Sequence, residues 1–176
     1  MKPALLVVDL QNEFFAEGSP ALGSLRSAAE YVNAAIQLFR RAGAPVVVVS
    51  DIEEPDRVPG HEAFAVHASI AVEAGDLRVD KRHGNAFWKT ALDEELRARS
   101  VDVVIVCGFC AEHCVLDTYR GARERGYASA LLRGGLASPV GEHVRVVEAI
   151  CEVVSYGALA GLMGLAVIAR ESGPRE

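Results

Sequence analysis

Three short stretches of the chain are apolar without interruption: Ala4-Leu5-Leu6-Val7-Val8, Val46-Val47-Val48-Val49 and Val103-Val104-Ile105-Val106. A strand with one wet face alternates apolar and polar residues, whereas an unbroken run suits a strand covered on both faces, the usual condition of a parallel sheet. Ala130-Leu131-Leu132 and Ala166-Val167-Ile168-Ala169 read as shorter strands of the same kind. Between these runs the apolar period becomes helical. Leu25, Ala28, Ala29, Val32, Ala35, Ile36 and Phe39 share one helical face, and the segment closes on Arg40, Arg41 and Gly43, a basic last turn with a glycine stop. A second helix is expected from Trp88 to Arg99. A third carries Val115, Thr118, Tyr119 and Ala122, and a fourth uses Val144, Val147, Ile150, Cys151 and Val154.

Alternating strands and helices with right-handed crossovers predict an α/β three-layer sandwich, a doubly wound, mainly parallel sheet with helices on both faces. The 176 residues suit one domain, 1–176, with an irregular connection from Ile52 to Asp76. The apolar stretch from Tyr156 to Ala169 is shorter than the ~18 residues of a membrane span and reads as a helix end and a buried strand. The start of the chain reaches Asp9 too soon for a signal peptide. A net charge of −6 argues against nucleic-acid and membrane partners. Four cysteines are too few for a disulfide scaffold and fit a reducing, cytoplasmic compartment, where each thiol is either core or chemistry.

Ligands of doubly wound sheets bind beyond the carboxyl ends of the strands. Asp9, Ser50, Asp51 and the segment Cys107 to Cys114 all fall there. Cys114 lies where a strand turns into a helix, so unpaired amides and the helix dipole are expected to lower its thiol pKa and make it a nucleophile. His113, one residue away and roughly 100° around the helix, is expected at the surface rather than paired with Cys114. Asp9 alone reads equally as a turn cap, and Lys81 alone as an exposed charge. Cys107, Cys110, His113 and Cys114 have the look of a zinc knuckle, but a buried strand running into a helix does not converge four ligands on one point.

Taken together, Asp9-Leu10-Gln11-Asn12-Glu13-Phe14, Lys81 before Gly84-Asn85-Ala86-Phe87, and Gly108-Phe109-Cys110-Ala111-Glu112-His113-Cys114-Val115 resemble the isochorismatase-like cysteine hydrolases, which include nicotinamidases and N-carbamoylsarcosine amidases. The resemblance implies a catalytic triad of Asp9, Lys81 and Cys114, an oxyanion hole from the N–H groups of Cys110 and Cys114, and a cis peptide between Phe109 and Cys110. It implies hydrolysis of a C–N bond in a small amide, nicotinamidase-like, through an acyl-enzyme on Cys114. Gln11, Phe14, Phe87 and Trp88 are the substrate-binding residues it suggests, Gln11 by orienting Asp9 or its loop and the aromatic residues as pocket walls, although Phe87 and Trp88 read equally as core packing. It also implies one divalent metal (Zn, Fe or Mn) held by Asp51, Glu53, Glu62 and His67, with Glu53 standing where the family has His, and no organic cofactor. The alternative within the family is a metal-free carbamoyl or ureido amidase. Relatives assemble as dimers or tetramers, so a homo-oligomer is expected. Outside the enzyme class stand a receiver-like signalling module, which leaves Cys114 without a task, and a catalytically silent binding subunit.

Overall fold

The computed structural model describes residues 1–52 and 58–165. Its elements are β1 (Pro3–Val8), α1 (Leu22–Arg41), β2 (Val46–Asp51), β3 (Leu77–Lys81), α2 (Leu92–Ala98), β4 (Val103–Gly108), α3 (Leu116–Glu124), β5 (Ala128–Leu136), α4 (Gly141–Ile150), β6 (Val153–Val154) and α5 (Tyr156–Leu162). The six strands form one sheet in the order β3-β2-β1-β4-β5-β6, and every neighbouring pair is parallel. The fold is the three-layer α/β sandwich expected from the unbroken apolar runs.

Both faces of the central strands are covered, which explains the missing alternation. Leu5 and Val7 of β1 pack with Leu25, Val32, Ile36 and Phe39 of α1 and Leu159 of α5. Ala4, Leu6 and Val8 point the other way, toward Leu92 and Leu96 of α2, Tyr119 and Ala122 of α3, and Val147 of α4. Side chains of successive strand residues alternate between faces, so an all-apolar strand divides itself between two cores.

The sequence expectations miss at the margins. β3 falls in a stretch of alternating exposure, Leu77-Arg78-Val79-Asp80-Lys81, because it is the edge strand and Leu77, Val79 and Lys81 turn inward while Arg78 and Asp80 face solvent. The expected helix from Trp88 starts only at Leu92, since Lys89 adopts a left-handed φ of 55° and the Thr90 hydroxyl accepts the Leu92 N–H. The fourth helix ends at Ile150, and Val154 instead belongs to β6, paired with Leu132. The expected strand at Ala166 to Ala169 lies outside the described residues.

The strand order reverses between β1 and β4, the switch point where a crevice opens in such sheets. Gly108 closes β4 there at φ 120°, and a Cβ on it would collide with the Val8 carbonyl oxygen of β1. Only glycine lets the two strand ends approach this closely. The Phe109 N–H then donates to the same Val8 oxygen at 2.9 Å, setting the path of the chain toward Cys114.

Candidate active site

Asp9 leaves the end of β1 with φ 50°, in the left-handed region uncommon for residues with side chains. Its N–H donates to Val49 O at 2.9 Å, and its side chain is only 1% exposed. Lys81 comes from the end of β3, two strands away, or about 10 Å at the usual strand spacing. The long lysine stem crosses the end of β2, where Asp51 is its register partner, and brings Nζ to 2.7 Å from Asp9 Oδ2. The same Nζ donates to Cys114 Sγ at 3.3 Å.

Cys114 reaches this point from the other side of the switch. After the cis peptide between Phe109 and Cys110, residues Ala111–Val115 form a π-helical turn in which the Val115 N–H donates to Cys110 O at 3.2 Å. Such widened turns recur at functional sites, and this one precedes α3. Ala111 N–H donates to Ala137 O at 2.8 Å, and Ala137 N–H to Gly108 O at 2.9 Å, so the turn is sewn to the end of β5.

The proton inventory differs from the expected lowered thiol. Burial pushes the Cys114 thiol up to about 12, and the Asp9 charge adds to the rise while Lys81 opposes it. Burial also raises the Asp9 carboxyl, to about 6, against the pull of Lys81. Burial works against the Lys81 ammonium, but the charges of Asp9 and Cys114 outweigh it and the net shift is upward. At neutral pH the resting site therefore holds a thiol, a carboxylate and an ammonium. The helix dipole loses to desolvation because Cys114 sits against the core rather than in open solvent. One oxygen of Asp9, Oδ1, is buried with no hydrogen-bond partner among the described residues.

The remaining sequence candidates separate. Phe14 packs on Phe109 with ring centroids 4.7 Å apart, beside the Cys110 turn. Gln11 orients its loop, as expected, rather than lining the pocket: it is fully buried, its Nε2 donates to Asp51 O and Phe64 O at 3.0 and 3.1 Å, and its Oε1 accepts the Asp51 N–H at 2.8 Å. Bonded to backbone at both ends of its amide, it holds the loops together. Phe87 is a correction, packed in the core with Tyr127 at 5.8 Å and under the Arg125 guanidinium at 5.1 Å. Trp88 is 52% exposed beside Lys89.

The expected metal ligands do not converge. Asp51 is buried at the end of β2, Glu62 is exposed on a short 3-10 turn, and His67 stacks on Phe15 at 4.0 Å with Nδ1 2.8 Å from Ser69 Oγ. Among the described residues no three His, Cys, Asp or Glu side chains stand close enough to hold an ion, and Glu53 lies outside them. Asp51, Glu62 and His67 by themselves do not make a metal site.

Sequence reasoning also passed over Glu112. Its Oε1 lies 2.9 Å from Ser138 Oγ and 2.6 Å from His143 Nδ1. Its one sequence signal is an acid midway between Cys110 and Cys114, which alone reads as a charge answering a helix N-terminus.

A parallel α/β sheet with a Cys-Lys-Asp cluster at its switch point defines a class, the α/β proteins built to present a thiol beside a buried acid and base. The comparisons narrow it. A model of the isochorismatase domain matches residues 3–152. The chain is 31% identical over 170 residues to the uncharacterized isochorismatase family protein YddQ of Bacillus subtilis, covering 94% of this chain and 93% of that one. It is 25% identical over 150 residues to maleamate amidohydrolase of Pseudomonas putida, covering 75% and 70% of the two chains. Among solved structures it is similar to N-carbamoylsarcosine amidase from Thermoplasma acidophilum, with a TM-score of 0.75, 29% identity, and coverage of 98% and 100%. The chain belongs to the isochorismatase family and is an isochorismatase-like hydrolase. Among the described residues no helix is long and apolar enough to cross a membrane.

Proposed function

We propose that this hydrolase cleaves the C–N bond of a small amide through a thioester on Cys114. The observation that carries the reading is Lys81 Nζ, which bridges Asp9 Oδ2 at 2.7 Å and Cys114 Sγ at 3.3 Å. Asp9, with its carboxyl raised to about 6 by burial, is a stronger base than an exposed aspartate while still ionised at neutral pH. It takes the thiol proton as Sγ bonds to the carbonyl carbon, and the carbonyl oxygen becomes an oxyanion facing the N–H groups of Cys110 and Cys114. Collapse breaks the C–N bond, and Asp9 returns the proton to the departing amine. Water, deprotonated by Asp9, then attacks the thioester, releasing the acid and restoring the thiol. Lys81 balances whichever neighbour carries the negative charge. Phe14 and Phe109, their rings tilted 40° to each other, offer an apolar wall next to the Cys110 turn.

Among small amides, the carbamoyl and ureido class is favoured over nicotinamide, because the Asp51, Glu62 and His67 side chains do not converge on a metal. The amidohydrolase and amidase among the relatives support C–N cleavage. Ammonia release from a panel of carbamoyl, ureido and nicotinamide compounds, with and without chelator, tests the reading. Turnover of a carbamoyl or ureido compound that survives chelation and is lost in Cys114→Ala is expected. Turnover of nicotinamide alone, abolished by chelation, would move the assignment to the metal-dependent branch, and no turnover of any member would remove it. The reading includes a cytoplasmic homo-oligomer, dimer or tetramer, measurable by light scattering.

A further inference from the structure

Glu112 is the unexplained charge of the site. It lies two residues from Cys110 and two from Cys114, on the turn whose amides are assigned to the oxyanion, and its own contacts reach away from the triad. Oε1 accepts the Ser138 hydroxyl at 2.9 Å and pairs with His143 Nδ1 at 2.6 Å. Ser138 is itself fixed twice: its N–H donates to Ser24 Oγ of α1 at 3.1 Å, and its Oγ accepts the Val140 N–H at 3.0 Å. One carboxylate therefore ties the π-helical turn to the loop between β5 and α4, and through it to α1. A burial that would ordinarily raise its carboxyl is outweighed by the facing Cys110 thiol, His143 and Ser138, which hold it down at about 2.

The triad does not need this charge. Asp9 and Lys81 reach Cys114 Sγ from β1 and β3, and no contact of Glu112 with either is involved. What Glu112 braces is the backbone between Cys110 and Cys114, the two ends of the same turn. Resting on the reading of Cys114 as nucleophile, we propose that Glu112 is a positioning residue: its carboxylate clamps this turn against Ser138 and His143 so that the Cys110 and Cys114 amides meet a developing oxyanion together. A pair of donors fixed before the reaction stabilises that charge without reorganising, and a turn free to rock delivers one donor at a time.

The experiment separates the thiol from the amides. Iodoacetamide alkylates Cys114 by displacement at a saturated carbon and creates no oxyanion at the turn. A small aldehyde, [13C-carbonyl]benzaldehyde, forms a thiohemiacetal: Sγ bonds to the carbonyl carbon, the thiol proton ends on the carbonyl oxygen, and that oxygen lies against the two amides. Adduct affinity is read by NMR and alkylation by mass mapping of Cys114. In Glu112→Ala, aldehyde affinity is expected to fall by ~10- to 100-fold, with the alkylation rate within about twofold of wild type. Glu112→Gln, which keeps an acceptor for Ser138, is expected to recover part of the loss. If Glu112→Ala does not fold, Ser138→Ala and His143→Ala each remove one partner and are read on the same scale. Unchanged aldehyde affinity in a folded variant, parallel loss of both readouts, or no adduct in the wild type would each overturn the proposal. An adduct in the wild type without turnover of any amide would instead overturn only the C–N assignment.

Discussion

Lys81 Nζ and Asp9 Oδ2 are 2.7 Å apart in a site where both side chains are 1% exposed, although their residues end strands with β2 lying between them. Two opposite charges buried this deeply are tolerable only as a pair, because each repays the other's lost hydration. The pairing explains how a lysine can lie in the interior, and it keeps the acid beside it ionised against the burial that raises its basicity.

Lys81→Met should leave the Asp9 carboxylate buried and uncompensated, costing ~3–5 kcal/mol of stability and eliminating turnover. Adding Asp9→Asn to it should recover part of the stability but none of the activity. Denaturant melts of the single and double variants read both effects. Because the folded Lys81 pKa is raised above 10.5, its contribution is fully present below that pH and is lost as pH climbs beyond it.

The rate should report Asp9 directly. The carboxyl must be ionised to accept the thiol proton, so kcat/KM should rise with pH through about 6 and level off toward neutrality. Asp9→Asn should lower kcat by ~100-fold or more, and any residual rate should lack the limb at about 6. A pH–rate profile with the same limb in the variant would assign it to another group.

The four thiols should not label alike. Cys107 is fully buried and its thiol is pushed far up by that burial, so it should react last, after denaturation. Cys114 is raised to about 12 in part by the Asp9 charge, so its alkylation at neutral pH should quicken in Asp9→Asn while that of Cys151 does not change. Mass mapping after timed exposure to iodoacetamide distinguishes them.

Gly108→Ala should be among the costliest single-methyl additions in the chain. The new Cβ meets the Val8 carbonyl oxygen, a backbone atom of the central strand, and the φ of 120° is itself unfavourable for alanine. A loss of at least ~2 kcal/mol is expected, with the β1–β4 crevice disturbed and turnover reduced. Thermal melts and activity per folded molecule would show both.

What could be read from the sequence is what local chemistry dictates. Unbroken runs such as Val46 to Val49 announce strands covered on both sides, the spacing of Leu25 to Phe39 announces α1, and strand ends announce Asp9 and Cys114 as neighbours of a crevice. β3 escaped because an edge strand buries one face only, and Arg78 and Asp80 make it look like loop. Phe87 read as pocket wall or core with nothing to choose between them, because residue type says nothing about direction, and packing turned it into the core. The thiol was expected to be acidified by its helix, a local effect, but burial is a property of the whole fold and reversed the sign. The distance from Lys81 to Asp9 and Cys114 and the reach of Glu112 to Ser138 and His143 were decided only by the tertiary structure. Each joins residues from separate crossovers, and only the order in which the strands lie side by side brings them within hydrogen-bond range.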